Sequence, residues 1–189
     1  MSREKTKKIY PLIRLLVIAQ SAALGFAAKP FISALAGALT GPLMIPGGSL
    51  LGGLYMMFVI IPAGLLPRPG TAALTGLLQG VMATATGIGS HGLMTVFSYA
   101  LPGVAIDIVM LLSRIINKKS GGTGLLPCFI SGMASNMTGT YIVNRIIFSL
   151  PPIPLLLTLF SALLSGGIGG LLAYNIIKPL KKIKILGSS

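Results

Sequence analysis

Three polar residues, Asn136, Thr140 and Asn144, recur every four positions in an otherwise apolar stretch. On a helix that spacing stacks them on one face, a turn apart, and Tyr141 and Arg145 border the same face. Amides and hydroxyls in this pattern can read the donors and acceptors of a small polar molecule. A guanidinium beside them adds a partner for a carboxylate or phosphate. The pattern suits a polar seam between two helices equally well, and sequence leaves both readings open. Lys29 supplies a second cation, which either joins Arg145 around an anionic group or extends its ammonium to lipid headgroups. Gln79 and Tyr55 are secondary candidates, Gln79 as a donor and acceptor midway along its segment. Met56 and Met57 offer adaptable apolar contacts, although packing against lipid is the commoner use of such side chains.

Asp107 is the one acid in the apolar part of the chain. A proton relay is open to it, as is a structural role beside Arg114 or beside Asn and Thr groups. His91 lies in the glycine-rich run Gly87-Ile88-Gly89-Ser90-His91-Gly92 and reads as a solvated loop residue. No G-x-x-x-x-G-K-[ST] phosphate loop, H-E-x-x-H or G-x-S-x-G occurs. No carboxylate pair is available for acid–base chemistry. A single His and a single Cys make a protein-built zinc site improbable. The inventory therefore points to binding and gating without catalysis, with no metal or cofactor held by this chain.

The elements that must position these residues are set by hydropathy and charge. The chain is 53% hydrophobic, yet carries 15 Lys and Arg against two acids, Glu4 and Asp107. A net charge of +13 on a soluble protein would suggest nucleic acid. Here a mean hydropathy of +0.91 and long apolar runs favour the positive-inside rule instead. Six apolar segments, approximately 11–35, 43–66, 71–86, 93–116, 125–150 and 155–177, predict an all-α polytopic membrane protein with six transmembrane helices and one membrane domain over residues 1–189. Every Lys and Arg except Lys29 and Arg145 then falls on one side. That side is read as cytoplasmic and holds both termini, in a bacterial plasma membrane. The basic start leads into a segment too long for a cleaved signal peptide, so a retained first helix is expected.

Small residues recur at packing registers. Gly76 with Gly80 and Gly166 with Gly170 read as helix contacts. Ala19, Ala23 and Ala27 on the first segment are singled out as a docking stripe for another subunit. Glycines 37, 41, 47 and 48, and again 87, 89 and 92, give the outer loops the freedom a gating lid requires.

The stretch from Gly53-Leu54-Tyr55-Met56-Met57 to Arg68-Pro69-Gly70-Thr71-Ala72-Ala73-Leu74 resembles the span 2–3 region of the YkoE type of substrate-binding membrane subunit. These subunits belong to the energy-coupling factor (ECF) transporters and are linked to thiamine and its hydroxymethylpyrimidine precursor. Gly103-Val104-Ala105-Ile106-Asp107 and Ser131-Gly132-Met133-Ala134-Ser135 extend the likeness to roughly residues 40–150. The resemblance implies a six-helix S component that captures a vitamin outside the cell. It also implies docking to a transmembrane coupling protein, EcfT, through the stripe on the first helix, with ATP used by two partner ATPases. The family's glutamates in spans two and three are missing here, where Leu54-Tyr55-Met56 and Thr75-Gly76-Leu77 stand. With Lys29 and Arg145 in the outer half, Coulomb repulsion disfavours a cation, so a neutral or anionic vitamin-like ligand is expected. Thiamine or hydroxymethylpyrimidine, as the family would suggest, and an ion-coupled secondary transporter working through Asp107 remain the alternatives.

Overall fold

The computed structural model describes residues 2–40, 47–66, 68–89, 92–116 and 123–182. His91, Ser90 and Gly41 of the expected outer loops, and Lys118, Lys119 and Lys184 of the expected cytoplasmic side, lie outside them. The described residues form six helices: α1 (Ser2–Thr40), α2 (Gly47–Leu65), α3 (Thr71–Ala85), α4 (Met94–Ile116), α5 (Leu125–Tyr141) and α6 (Pro152–Leu180). A π-helical turn, Ile142–Ile147, continues α5. The expected first segment, 11–35, is the inner part of a 39-residue helix. Three stretches, Leu12–Ala38, Met94–Ile116 and Pro152–Leu180, are long and apolar enough to cross a bilayer; Ser49–Leu65 and Thr71–Ala85 are shorter apolar helices.

Helix α2 touches each of the other five, while α1 packs on α2 and α3, α3 on α4, α4 on α5, and α5 on α6. Its central place follows from composition, because α2 carries no charge and is apolar nearly all round. Val59, Ile60 and Ala63 of α2 form the core with Ile106 and Met110 of α4 and Ile177 of α6.

Close approach is set by glycine. A Cβ at Gly132 would strike the carbonyl of Gly166, one at Gly170 the carbonyl of Cys128, and one at Gly169 the carbonyl of Gly53. The α2, α5 and α6 backbones therefore touch where small residues allow it, the packing mode lipid-embedded helices favour. Gly76 and Gly80 act likewise between α3 and α4, against Tyr99 and Val96. Hydroxyls within the helices are satisfied locally: Thr75, Thr84 and Thr138 each donate to the carbonyl four residues back.

The α2–α3 turn explains why Arg68-Pro69-Gly70-Thr71-Ala72-Ala73 belongs together. Gly70 has φ +81°, a conformation that glycine adopts without strain. Thr71 Oγ1 donates to the Arg68 carbonyl at 2.9 Å. Arg14 of α1 reaches the Pro69 carbonyl and Thr71 Oγ1, each at 3.4 Å. The first free amides of α3, those of Ala72 and Ala73, donate to Asp107 Oδ1 and Oδ2 at 3.2 and 2.9 Å. Asp107 is thus a helix cap supplied in trans by α4, where unpaired amides attract negative charge. The expected Arg114 partnership holds only at a distance: its guanidinium bonds the Ala63 carbonyl at 3.4 Å and interacts with the Asp107 charge without a direct ion pair, and no Asn or Thr side chain bonds to Asp107 among the described residues.

Candidate binding cavity

The second half of α1, the first half of α2, the start of α4 and the end of α5 meet at one end of the bundle. They enclose a cavity of about 490 Å³, within the range typical of small-molecule sites. The turn holding Arg14, Arg68 and Asp107 lies at the other ends of these helices.

One wall is built in layers. Lys29 Nζ sits 4.8 Å from the centroid of the Tyr99 ring, close enough for a cation–π contact. Tyr99 in turn meets Tyr55 edge to face, with centroids 5.5 Å apart and planes at 82°. Tyr55 donates its hydroxyl to Gln79 Oε1 at 2.9 Å. Gln79 is fully buried and lies behind the wall, and its Nε2 has no hydrogen-bond partner. That amide presses on α1 at Gly25, where a Cβ would collide with it. Gly25 lies one turn before Lys29, so contacts run from α1 through α4, α2 and α3 and back to α1.

The opposite wall is the polar face of α5, and its three residues have different tasks. Asn136 is committed: Nδ2 donates to the Ser49 carbonyl of α2 at 3.2 Å and to the Ala162 carbonyl of α6 at 2.9 Å. Its Oδ1 lies where a Cβ on Gly52 would be. Thr140 and Asn144 also line the cavity and are 7% and 2% exposed. Among the described residues neither side chain has a hydrogen-bond partner. In an unbroken α-helix the i+8 position drifts by roughly 80° from i. The π turn is wider, with the Phe148 amide donating to the Val143 carbonyl at 3.0 Å, and it keeps Asn144 facing the cavity.

Lys29, Tyr55, Asn136, Thr140 and Asn144 are thus brought together, Gln79 stands directly behind them, and Tyr141 and Arg145 lie outside. Tyr141 is 47% exposed. Arg145 Nη1 donates to the Leu150 carbonyl at 3.2 Å and closes the turn into α6, beside Ser149 with φ +50°. Sequence reasoning missed Tyr99 and Ser98. An aromatic and a hydroxyl, at the start of α4 and level with Lys29 in the expected topology, were the available signal. Arg145→Ala is accordingly expected to change small-molecule affinity by less than about twofold while lowering stability by about 0.5–1 kcal/mol for one exposed bond. Parallel binding and thermal-unfolding measurements on this variant separate the two effects.

No cluster of three His, Cys, Asp or Glu side chains suited to a metal ion exists among the described residues. Ala19, Ala23 and Ala27 all lie on the exposed face of α1.

The fold is that of a membrane-transporter subunit. A crystal structure of an S-component of an ECF transporter superposes with a TM-score of 0.74 at 19% identity, covering 92% of this chain and 86% of that one. Within that class, the chain belongs to the family described as ABC-type cobalt transport system, permease component, which matches residues 12–138. No curated protein matches the chain. Neither match names the thiamine or hydroxymethylpyrimidine type suggested by the resemblance.

Proposed function

We propose that this chain is the substrate-binding S component of an ECF-type importer. In this reading the six helices cross the bacterial plasma membrane, both termini are cytoplasmic, and the cavity opens outward. The cavity captures a vitamin- or cofactor-sized molecule and needs no cofactor of its own. The observation that carries the reading is the cavity lining, where, among the described residues, the side chains of Asn144 and Thr140 have no hydrogen-bond partner and Lys29 faces no acid. Polar side chains that converge on an apolar-walled cavity and are not committed to the protein can orient a polar ligand. The distribution of charge supports the orientation, because Arg14, Arg68, Arg114 and Lys181 gather at the end away from the cavity.

Delivery would follow docking of the exposed Ala19, Ala23 and Ala27 stripe on an EcfT-like coupling protein, with ATP used by two ATPase subunits. The chain carries no nucleotide motif of its own. A cobalt ion is a poor cargo for this lining: it favours imidazole, thiolate or carboxylate ligands, and none faces the cavity among the described residues. Secondary transport through Asp107 loses its support because both carboxylate oxygens hold α3 amides.

Affinity purification of the chain from its native membrane tests the assembly. Two ATPases and a coupling protein should co-purify, and Ala23→Leu should release them while small-molecule binding persists. Transport by the chain alone, or an unaffected complex with Ala23→Leu, contradicts the reading.

A further inference from the structure

We infer that the cargo is a small monoanion, a ring compound bearing one carboxylate, held by Lys29 against the Tyr99 face and read along its neutral edge by Asn144 and Thr140. The inference rests on the cavity being the capture site proposed above.

Charge sets the first condition. Lys29 is the only charged side chain lining the cavity among the described residues. The chain has two acids. Asp107 is committed to the α3 amides, and Glu4 lies 25 positions away on the same helix, roughly 37 Å by helical rise. No acid lines the cavity beside Lys29 among the described residues. An ammonium in a low-dielectric wall is costly without a counter-charge, and the ring of Tyr99 compensates only part of that cost. A ligand carboxylate completes it. A cationic ligand meets repulsion that no lining acid offsets. A phosphate monoester brings a second negative charge, and the expected second cation, Arg145, is turned onto the Leu150 carbonyl.

Hydrogen bonding sets the second condition. The Asn136 amide nitrogen already serves two carbonyls. The open amide of Asn144 and the hydroxyl of Thr140, one turn apart, form a donor–acceptor pair for a heteroatom edge. Shape sets the third. The Tyr55–Tyr99 pair and the apolar Ile32, Met56 and Phe148 suit a flat ring, in a volume sized for one small molecule.

The test uses three single-ring probes of matched size and different charge: nicotinate (anion), nicotinamide (neutral) and 1-methylnicotinamide (cation). Each is titrated calorimetrically into the full chain in lipid nanodiscs. Nicotinate should bind at least tenfold more tightly than nicotinamide, with no heat from the cation. Lys29→Met should erase the tenfold preference by weakening nicotinate at least tenfold more than nicotinamide, and Arg145→Met should keep the preference. Equal or tighter binding of nicotinamide or of the cation overturns the inference, as does a preference that survives Lys29→Met. Binding of none of the three also overturns it. A different molecule co-purifying with the chain in that case leaves the capture reading standing, whereas an empty cavity removes both.

Discussion

Asp107→Ala is expected to destabilise the protein by about 3 kcal/mol. Its two oxygens accept from the Ala72 and Ala73 amides at 3.2 and 2.9 Å. Hydrogen bonds to a charged acceptor contribute about 1.5–3 kcal/mol each, and the contributions do not simply add. Removing the carboxylate strands two amides at a helix start packed against α4, where lipid and protein leave little water to replace it. Gly103 adds to the effect: a Cβ there would strike the Ala72 carbonyl, so α3 and α4 are locked at this point and cannot shift to recover the bonds. Asp107→Asn keeps one acceptor and should fall between wild type and alanine. Cys128 is the single, buried cysteine, so a thiol-reactive dye reports unfolding directly as temperature rises. A wild-type unfolding curve for Asp107→Ala, accompanied by loss of transport, would return Asp107 to ion coupling.

The second large effect divides two residues of the same type on the same face. Asn136→Ala should cost about 2 kcal/mol of stability, since it removes both bonds that tie α5 to α2 and α6. Asn144→Ala should change stability by less than about 0.5 kcal/mol, because its amide opens onto the cavity and ties no helix to another. Its cost should appear in binding, as a loss of about 10- to 100-fold in affinity for the captured molecule, about 1.4–2.8 kcal/mol. Unfolding and binding curves for the two variants should therefore move in opposite columns. Equal behaviour of the two would return the whole face to a helix–helix seam.

Much of this fold was legible in the sequence because hydropathy and glycine spacing are local. The apolar segments gave helix positions, and Gly166 with Gly170 marked a true contact on α5. The polar face of α5 was legible from a four-residue period. Its division was not, since which amide is already paired depends on carbonyls at Ser49 and Ala162, far away in the chain. Arg145 was placed near the ligand by counting along a regular helix; the π turn and the bend at Ser149 changed its direction. Gln79 read as a ligand group but stands one layer back, because Tyr55 intervenes from another helix. Asp107 invited a proton-relay reading since an acid in an apolar segment is unusual. Its real partners are backbone amides, which no sequence pattern displays.

The central claim is that this cavity captures one small molecule through Lys29 and the open face of α5. Native mass spectrometry of the gently extracted chain tests it most directly, comparing wild type with the Lys29→Met, Asn144→Ala double variant. The account predicts one bound small molecule on the wild type and none on the double variant, with both chains folded by the Cys128 dye assay. The same molecule retained by the double variant, or a wild type that carries nothing from a rich medium, would contradict it.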